Sequence, residues 1–414
     1  EEAAAAAVAA RAVNVSDRST GAAAAAGAAC AGLGAQQGQG QAAAAADCPP
    51  QQQQQQQPEL LLATATGTSP PTRPPPPPYD GLLLTRAVEL ADRLLPAFDT
   101  PSGLPALFVH LREGYVRDAY NSTCTACAGT LLLEFGMLTA LTGNPVYMDR
   151  AEFAARALYG RRSRVTGLVG ASLDVGSAEW ASRESSIGPG SDSYYEYLLK
   201  AYLLFGRSEY LDMFAQLYAS SMRWMQLPGS PQGYSFLVDV HMDTGRLARP
   251  FVSSLGAFWP GMQALAGQER DAVQLHANFT AAWRAFGWLP ELFGVDLGKV
   301  HPEDPGYNLR PEHIESTYLL HCLTQDPLYL RVAANIQHTL HTHNRVKCGF
   351  TNVNHVDTGQ QGDLMESYFL SETAKYLYLL FSSAPALPDY YILSTEGHLL
   401  PPLTDPTALA PERL

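Results

Sequence analysis

The sequence predicts an all-α domain made of repeated helix pairs. Helical spacing is the first sign. In DSYYEYLLKAYLLFG, Tyr195, Leu198, Leu199 and Tyr202 recur at the intervals of one buried helix face. GTLLLEFGMLTALTG and IESTYLLHCL read the same way. Alternating Val- and Ile-rich segments are scarce, which leaves strands to short hairpins around 233–246 and 345–357. A repeat is the third sign. Leu141–Asp149, Leu204–Asp212 and Leu323–Arg331 each read as a helix end, a tight turn and a second helix opening with an aromatic: Tyr147, Tyr210 and Tyr329. Their starts lie close to one and two copies of the same unit apart, and a unit of that length is an αα-hairpin. Such hairpins stack into a solenoid or close into a ring, and periodicity does not choose between the two.

Composition sets the outer bounds. The chain has 414 residues, with 27 Lys+Arg against 40 Asp+Glu and a formal charge of −13. That balance argues against nucleic acid as a partner, because the phosphate backbone needs a basic footprint. No apolar run is expected to reach the ~18 residues that span a bilayer. No basic stretch followed by an apolar one opens the chain, so no signal peptide is visible. The expectation is a cytosolic protein or a true N-terminus lying upstream. The 6 cysteines are too few for a disulfide scaffold.

Composition shifts near Tyr79. Before it stand the alanine runs Ala3 to Ala7, Ala22 to Ala26 and Ala42 to Ala46, the glutamine run Gln51 to Gln57 and the proline run Pro74 to Pro78. Aromatic residues are absent until Tyr79. Such a stretch has too little bulky apolar surface to offset the entropy of ordering it. Residues 1–78 therefore read as a disordered Ala/Gln/Pro-rich segment ending in polyproline II. Residues 79–400 form the globular domain, and 401–414 a tail.

Carboxylates break the apolar helices. Asp192 follows the glycine-rich GPGS and opens a helix, where an N-cap is the plain reading. Glu196 lies one turn on, among Tyr194, Tyr195 and Tyr197, and acids beside aromatic rings suit a carbohydrate. In LRPEHIES, Glu312 sits at a Pro-initiated helix start, with Glu315 on the same face and Arg310 just before. Capping explains one of those glutamates better than two. Glu366 and Glu372 flank Tyr368 and Phe369 in MESYFLSETAKYLYLL, and a carboxylate on so apolar a helix needs a partner. Glu291 follows a proline in WLPELFG, and Ser394-Thr395-Glu396-Gly397-His398 lies near the chain end. Acids at helix starts, ringed by aromatics, suggest glycoside hydrolysis, in which one carboxyl is the acid and another the base or nucleophile.

Several segments, in order, carry a resemblance: RLLPAFDTPSGLP, CTACAGTLLLEFG, DSYYEYLLKAYLLFG, AFWPG, LRPEHIESTYLL, VKCGF, MESYFLSETAKYLYLLFS and STEGH. From about Tyr79 to Leu400 the chain resembles the class I α-1,2-mannosidases, glycoside hydrolase family 47, and within them the ER degradation-enhancing α-mannosidase-like (EDEM) group. The resemblance implies an (αα)7 toroid. It implies inverting removal of terminal α-1,2-linked mannose from high-mannose N-glycans on misfolded glycoproteins, ahead of ER-associated degradation (ERAD). Asp192, Glu291 and Glu312 match active-site acids, with Glu312 expected as the base and Asp192 as helper of leaving-group protonation through water. Arg310, Glu315, Glu372 and Glu396 match substrate- or metal-shell positions, and Tyr368 stands where a Phe usually stacks on the mannose ring. Thr395 matches a threonine that meets a Ca2+ with its hydroxyl and backbone oxygen. The implied compartment is the ER lumen. The implied partners are a disulfide isomerase and the ERAD machinery.

The chain departs from the family pattern in four places. The family's first active-site glutamate lies in an F-E-x-x-I-R segment upstream of RLLPAF, and the glutamine and proline runs stand in its expected place. The toroid is accordingly expected to lack its first helices. This departure motivates an alternative: a catalytically impaired, lectin-like protein that holds mannose without cleaving it. Ser253-Ser254 stand where processing enzymes have Asp-His, and Ala257 where they have a disulfide cysteine. Gly190-Ser191 lacks their arginine.

Cys124 and Cys127 form a lone C-x-x-C, weak evidence for zinc. The favoured reading is two buried neighbours on one helix, with a redox pair as the alternative. Cys348 matches a cysteine that EDEM-like proteins tie to the N-terminal part of the domain, and is expected unpaired. His338, His341 and His343 read as decoration of an exposed helix end rather than a metal site. N-x-S/T sequons stand at Asn14, Asn121 and Asn278.

Overall fold

The computed structural model describes residues 79–114, 121–230, 233–382 and 391–403. The expectations for 1–78, with Asn14 and the place of the family's first glutamate, lie outside the described residues, as does most of the tail.

Helices run in pairs. In chain order they are α1 (Leu82–Leu94), α2 (Thr125–Gly129), α3 (Leu132–Thr142), α4 (Val146–Gly160), α5 (Asp192–Phe205), α6 (Ser208–Trp224), α7 (Trp259–Leu265), α8 (Glu269–Phe286), α9 (Glu312–Thr324), α10 (Pro327–Thr339) and α11 (Ala374–Phe381). Helix α3 packs on α4, α5 on α6, α7 on α8 and α9 on α10. The repeat in the sequence is the joint of three of these pairs. Gly143, Gly206 and Gln325 each end the first helix in the left-handed region, at φ 73°, 70° and 56°. Gln325 accepts that conformation without being glycine; its Nε2 donates to the carbonyls of His321 and Cys322, 3.2 Å each.

The pairs form an α/α toroid, with α3, α5, α7, α9 and α11 inside and α4, α6, α8 and α10 outside. Helix α3 packs on α5, α7 on α9 and α9 on α11, and the Tyr195 and Trp259 rings meet edge-on at 5.3 Å between α5 and α7. The inner position explains why α5 exceeds its expected single face. Tyr194, Glu196, Tyr197, Lys200 and Ala201 are buried as well as Tyr195, Leu198 and Leu199, while Tyr202 is half-buried.

Strands are short and sit at the helix ends. They are β1 (Ser122–Cys124), β2 (Ser172–Asp174), β3 (Trp180–Ser182), β4 (Glu184–Ser185), β5 (Val240–His241), β6 (Phe251–Ser253), β7 (Leu292–Gly294), β8 (Arg345–Val346), β9 (Gly349–Phe350), β10 (Val353–His355), β11 (Gln360–Gln361), β12 (Ile392–Leu393) and β13 (Leu399–Leu400). The antiparallel pairs β8–β9 and β10–β11 fall where the second hairpin was expected. In the first region the chain also turns back on itself, with Val240 bridging Leu247 and the His241 amide donating to the Arg246 carbonyl at 2.8 Å, and β5 pairs besides with the distant β4. The β12–β13 hairpin packs against α5, and beyond it the Leu403 amide donates to the Leu204 carbonyl at 2.7 Å.

Two expectations need correction. Thr125–Thr142 is an 18-residue stretch of mean hydropathy 1.4, so one run does reach membrane-spanning length and composition. It covers two helices separated at Thr130, and Leu132, Leu133, Phe135 and Leu138 lie in the core. Cys124 and Cys127 are not buried neighbours on one helix. Cys124 caps α2 from outside, Cys127 is exposed, and the two form a disulfide. The cap geometry brings them together: the Cys127 amide donates to Cys124 Sγ at 2.8 Å.

Candidate active site

The axis of the toroid is lined from four directions. Helix α5 supplies Asp192, Glu196 and Lys200 at intervals of one turn, a single stripe. Asp192 is the first helical residue, not the N-cap; Ser191 holds that place, because the GPGS turn (Gly190 at φ 86°) brings the chain into the helix one residue earlier. Freed from capping, Asp192 Oδ1 accepts from its neighbour Ser193, from the amide at 2.9 Å and from the hydroxyl at 3.5 Å. Burial, with Glu196 nearby, pushes Asp192 up to about 6, against the pull of the Ser193 amide and of Arg310.

Glu291 does not open a helix. It lies between Pro290 and β7, where its amide donates to the Gly306 carbonyl at 2.8 Å. That position aims its carboxylate at Arg310. Arg310 Nε lies 3.1 and 3.0 Å from the two carboxylate oxygens and Nη2 2.9 Å from Oε2, while the Asn308 amide donates to Oε1 at 3.2 Å. Burial opposes the guanidinium charge, but Glu291 and the nearby Glu312 hold Arg310 above its ordinary range. The guanidinium also covers the Tyr368 ring at 5.5 Å, and the Tyr368 hydroxyl donates to the Asn308 carbonyl at 2.9 Å.

Glu312 opens α9 behind Pro311, as its spacing predicts. Its Oε2 is shut off from solvent without a hydrogen-bond partner. Burial pushes Glu312 up to about 8, with Arg310 pulling it back. Arg310 thus acts electrostatically on both Asp192 and Glu312, so the three lie in one field.

Below them lies a ring of acids. Glu315, on α9, is raised by burial against the opposing pull of Lys200, whose Nζ is 3.6 Å from Oε1. Glu372 sits in a π-helical turn, Phe369–Thr373, just before α11. Burial, then Glu315, Glu312, Glu396 and Glu196, pushes it up to about 9. Thr395 and Glu396 occupy the tight turn between β12 and β13, closed by Gly397 N–H to the Ser394 carbonyl at 3.0 Å. Gly397, at φ 67°, lets that turn seat on the ring, since a Cβ there would lie 2.9 Å from the Ser371 carbonyl and 3.1 Å from Glu372 Cγ. Mutual electrostatic contacts thus join Asp192, Glu291, Arg310, Glu312, Glu315, Tyr368, Glu372 and Glu396 into one neighbourhood, with Thr395 in the turn beside Glu396 and Glu366 acting on Tyr368. The residues that sequence reasoning missed are Lys200 and Glu134. The Tyr197 hydroxyl donates to Glu134 Oε1 at 2.6 Å. Lysine in so apolar a helix, four residues after Glu196, was the legible signal for the first, and a lone acid in the apolar LLLEFG for the second.

The ring suits the implied Ca2+. Its donors are oxygens, its charge is mostly uncompensated acid, and hard cations take oxygen ligands. Among the described residues no three His, Cys, Asp or Glu side chains converge to hold a metal by themselves. A Ca2+ there would lean on the Thr395 hydroxyl and carbonyl, on waters and on sugar hydroxyls.

The remaining polar candidates lie elsewhere. His338, His341 and His343 stand exposed at the end of α10 and in the turn Leu340–Asn344. Cys348 is exposed and unpaired among the described residues. Asn121 is exposed, whereas Asn278 is buried on α8 with its Nδ2 donating to the Ser235 carbonyl at 2.7 Å, out of reach of a glycosylating enzyme in the folded chain.

Known proteins resemble this chain in sequence and fold. The sequence profile described as Glycosyl hydrolase family 47 matches residues 61–402. Alpha-mannosidase I MNS4 of Arabidopsis thaliana is 43% identical over 341 residues, which are 81% of this chain and 53% of that protein. ER degradation-enhancing alpha-mannosidase-like protein 3 of Xenopus laevis is 42% identical over 78% of this chain and 35% of its own length. The chain thus spans about half the length of the first relative and about a third of the second. Among solved structures, an alpha-1,2-mannosidase from Trichoderma reesei superposes with a TM-score of 0.70 at 26% identity, over 77% of this chain and 74% of that one. Matched over most of its length by the family profile, the chain belongs to glycosyl hydrolase family 47, beside the ER degradation-enhancing α-mannosidase-like proteins.

Proposed function

We propose that the chain is an inverting α-1,2-mannosidase that trims terminal mannose from high-mannose N-glycans. One observation carries this reading: Arg310, locked on Glu291, shares its field with two buried carboxyls from different helices, Asp192 and Glu312. Glycoside hydrolysis needs two carboxyls facing one site, one to give a proton and one to take it.

In this reading Glu312 takes a proton from the attacking water, and Asp192 delivers one to the leaving oxygen through a second water. Arg310 holds Glu291 in place and draws Glu312 toward its ionised form. Tyr368 stacks on the terminal mannose, and Glu315, Glu372 and Glu396 accept hydrogen bonds from its hydroxyls. Thr395 would hold Ca2+, which when bound supplies positive charge among the acids and a contact for sugar hydroxyls. The physiological substrates would be misfolded glycoproteins in the ER lumen, on the way to ERAD. The exposed Cys124–Cys127 disulfide would offer a contact for a disulfide isomerase.

The test is mannose release from a denatured high-mannose glycoprotein, with Ca2+ and with chelator, following the anomer by NMR. Calcium-dependent release of β-mannose supports the reading. Ca2+-replete, folded protein that releases none overturns it.

A further inference from the structure

We propose that Lys200 is a positioning residue for this hydrolysis, the ammonium that ties the helix bearing Asp192 to the helix bearing Glu312. The inference rests on the reading above that those two carboxyls do the chemistry.

Lysine is almost never fully buried unless paired. Lys200 is 2% exposed. Its Nζ donates to Glu196, one turn back on α5, and lies 3.6 Å from Glu315 Oε1 on α9. Glu315 is one turn from Glu312, and Glu196 one turn from Asp192. Helix α5 packs on α2, α3 and α6, and α9 on α7, α8, α10 and α11, so the bridge reaches across the axis between separately supported helices. Inverting enzymes hold their two carboxyls ~6.5–9.5 Å apart to admit a water. That separation depends on how α5 and α9 stand relative to each other, and Lys200 joins them through Glu196 and Glu315, each one turn from an acid.

A helix-stabilising Glu–Lys pair, four residues apart, accounts for Glu196 alone. It leaves Glu315 unexplained, and a buried ion pair adds little to stability that apolar packing would not. Burial disfavours the ammonium, yet Glu196 and Glu315 together keep it charged. Glu312, Glu372, Glu396 and the Tyr376 hydroxyl, from α9, the π-helical turn, the chain-end hairpin and α11, share the same field.

The experiment compares full-length wild type, Lys200→Met and the Glu196→Gln/Lys200→Met pair, each Ca2+-replete and checked for folding by circular dichroism. We expect kcat to fall about 10- to 100-fold, with KM within about threefold, as for catalytic groups displaced by about an ångström. We expect the ascending limb of the pH profile to move up by about one unit in Lys200→Met, because a lost cation raises nearby carboxyls. In the paired variant that limb returns while kcat stays low. The paired variant removes the Glu196–Lys200 ion pair as a unit and leaves only Glu315 without its cation, so it keeps the fold better than the single change, which orphans two carboxylates. Wild-type kcat in either folded variant overturns the inference, as does failure of both to fold, which would assign Lys200 to the core alone. A wild type without turnover is the failure of the underlying reading, and the inference falls with it.

Discussion

The Thr373 hydroxyl donates to the Leu309 carbonyl at 2.8 Å, joining the π-helical turn that bears Glu372 to the segment that bears Arg310. Leu309 is fully buried at φ 62°, a left-handed conformation uncommon outside glycine. That conformation lets Asn308 and Arg310, on either side, both turn toward Glu291. A strained residue persists where its surroundings over-determine it. Here the surroundings are the buried Leu309 side chain and Thr373.

Replacing Thr373 by valine keeps the shape and orphans the Leu309 carbonyl. The expected cost is about 1–3 kcal/mol in stability, read by denaturant melts. Activity should fall further than that loss of folded protein explains, because Arg310 loses its seat. Thr373→Ser restores the donor and should recover most of the kcat. Equal activity in the valine and serine variants would show that Leu309 holds its conformation unaided.

Asp192 and Glu312 make stability depend on pH in a direction opposite to salt-bridged acids. Both are raised in the folded chain, to about 6 and about 8. Raised carboxyls favour folding while both folded and unfolded forms are protonated, below the ordinary carboxylate values. That contribution is lost as pH rises through 6 and then 8. Chelator-treated protein should therefore lose stability between mildly acidic and mildly alkaline pH. Glu312→Gln should remove the upper part of that loss. A stability curve unchanged by this substitution would mean that Glu312 is ionised at neutral pH even without metal.

The Cys124–Cys127 disulfide should matter beyond its small loop. Closing so short a loop is worth about 2 kcal/mol in the chain-entropy account. The disulfide also fixes the start of α2, where the Ala126 amide donates to the Gly190 carbonyl at 2.9 Å, two residues before Asp192. At the other end, the Thr130 and Ser193 hydroxyls are 2.8 Å apart. Replacing both cysteines by alanine should lower Tm by several degrees and reduce kcat at temperatures well below Tm. A lowered Tm with full kcat would confine the disulfide to stability.

The helix pairs were legible because their joints repeat: Gly143, Gly206 and Gln325 do the same backbone work at the same place in each unit. The acids were legible one by one, since carboxylates in apolar helices break a pattern. Their convergence was not. Glu291 lies on no helix face and meets Arg310 only because the loop between β7 and α9 folds back through Leu309. The cysteine pair was misread because spacing alone does not say that Cys124 stands outside the helix, where a cap residue can approach Cys127. Lys200 was overlooked because an amphipathic reading treats a lysine as the solvent side, and α5 has none.

Thr395→Ala tests the metal assignment apart from catalysis. A ligand that binds only the folded state stabilises it by about 2.7 kcal/mol at a hundred times its Kd. Wild-type Tm should therefore climb with added Ca2+ and fall back with chelator. In Thr395→Ala the hydroxyl ligand is gone while the Ser394 to Gly397 turn, closed by backbone, remains. Its Tm should start near that of chelated wild type and respond little to Ca2+. Magnesium should give wild type a weaker response, since it sheds water reluctantly and needs a stricter octahedron. A Ca2+ response undiminished in Thr395→Ala would mean that the cation does not need the Thr395 hydroxyl. Thr395 would then be a residue of the turn, and its match to the family threonine would describe the hairpin and not the metal.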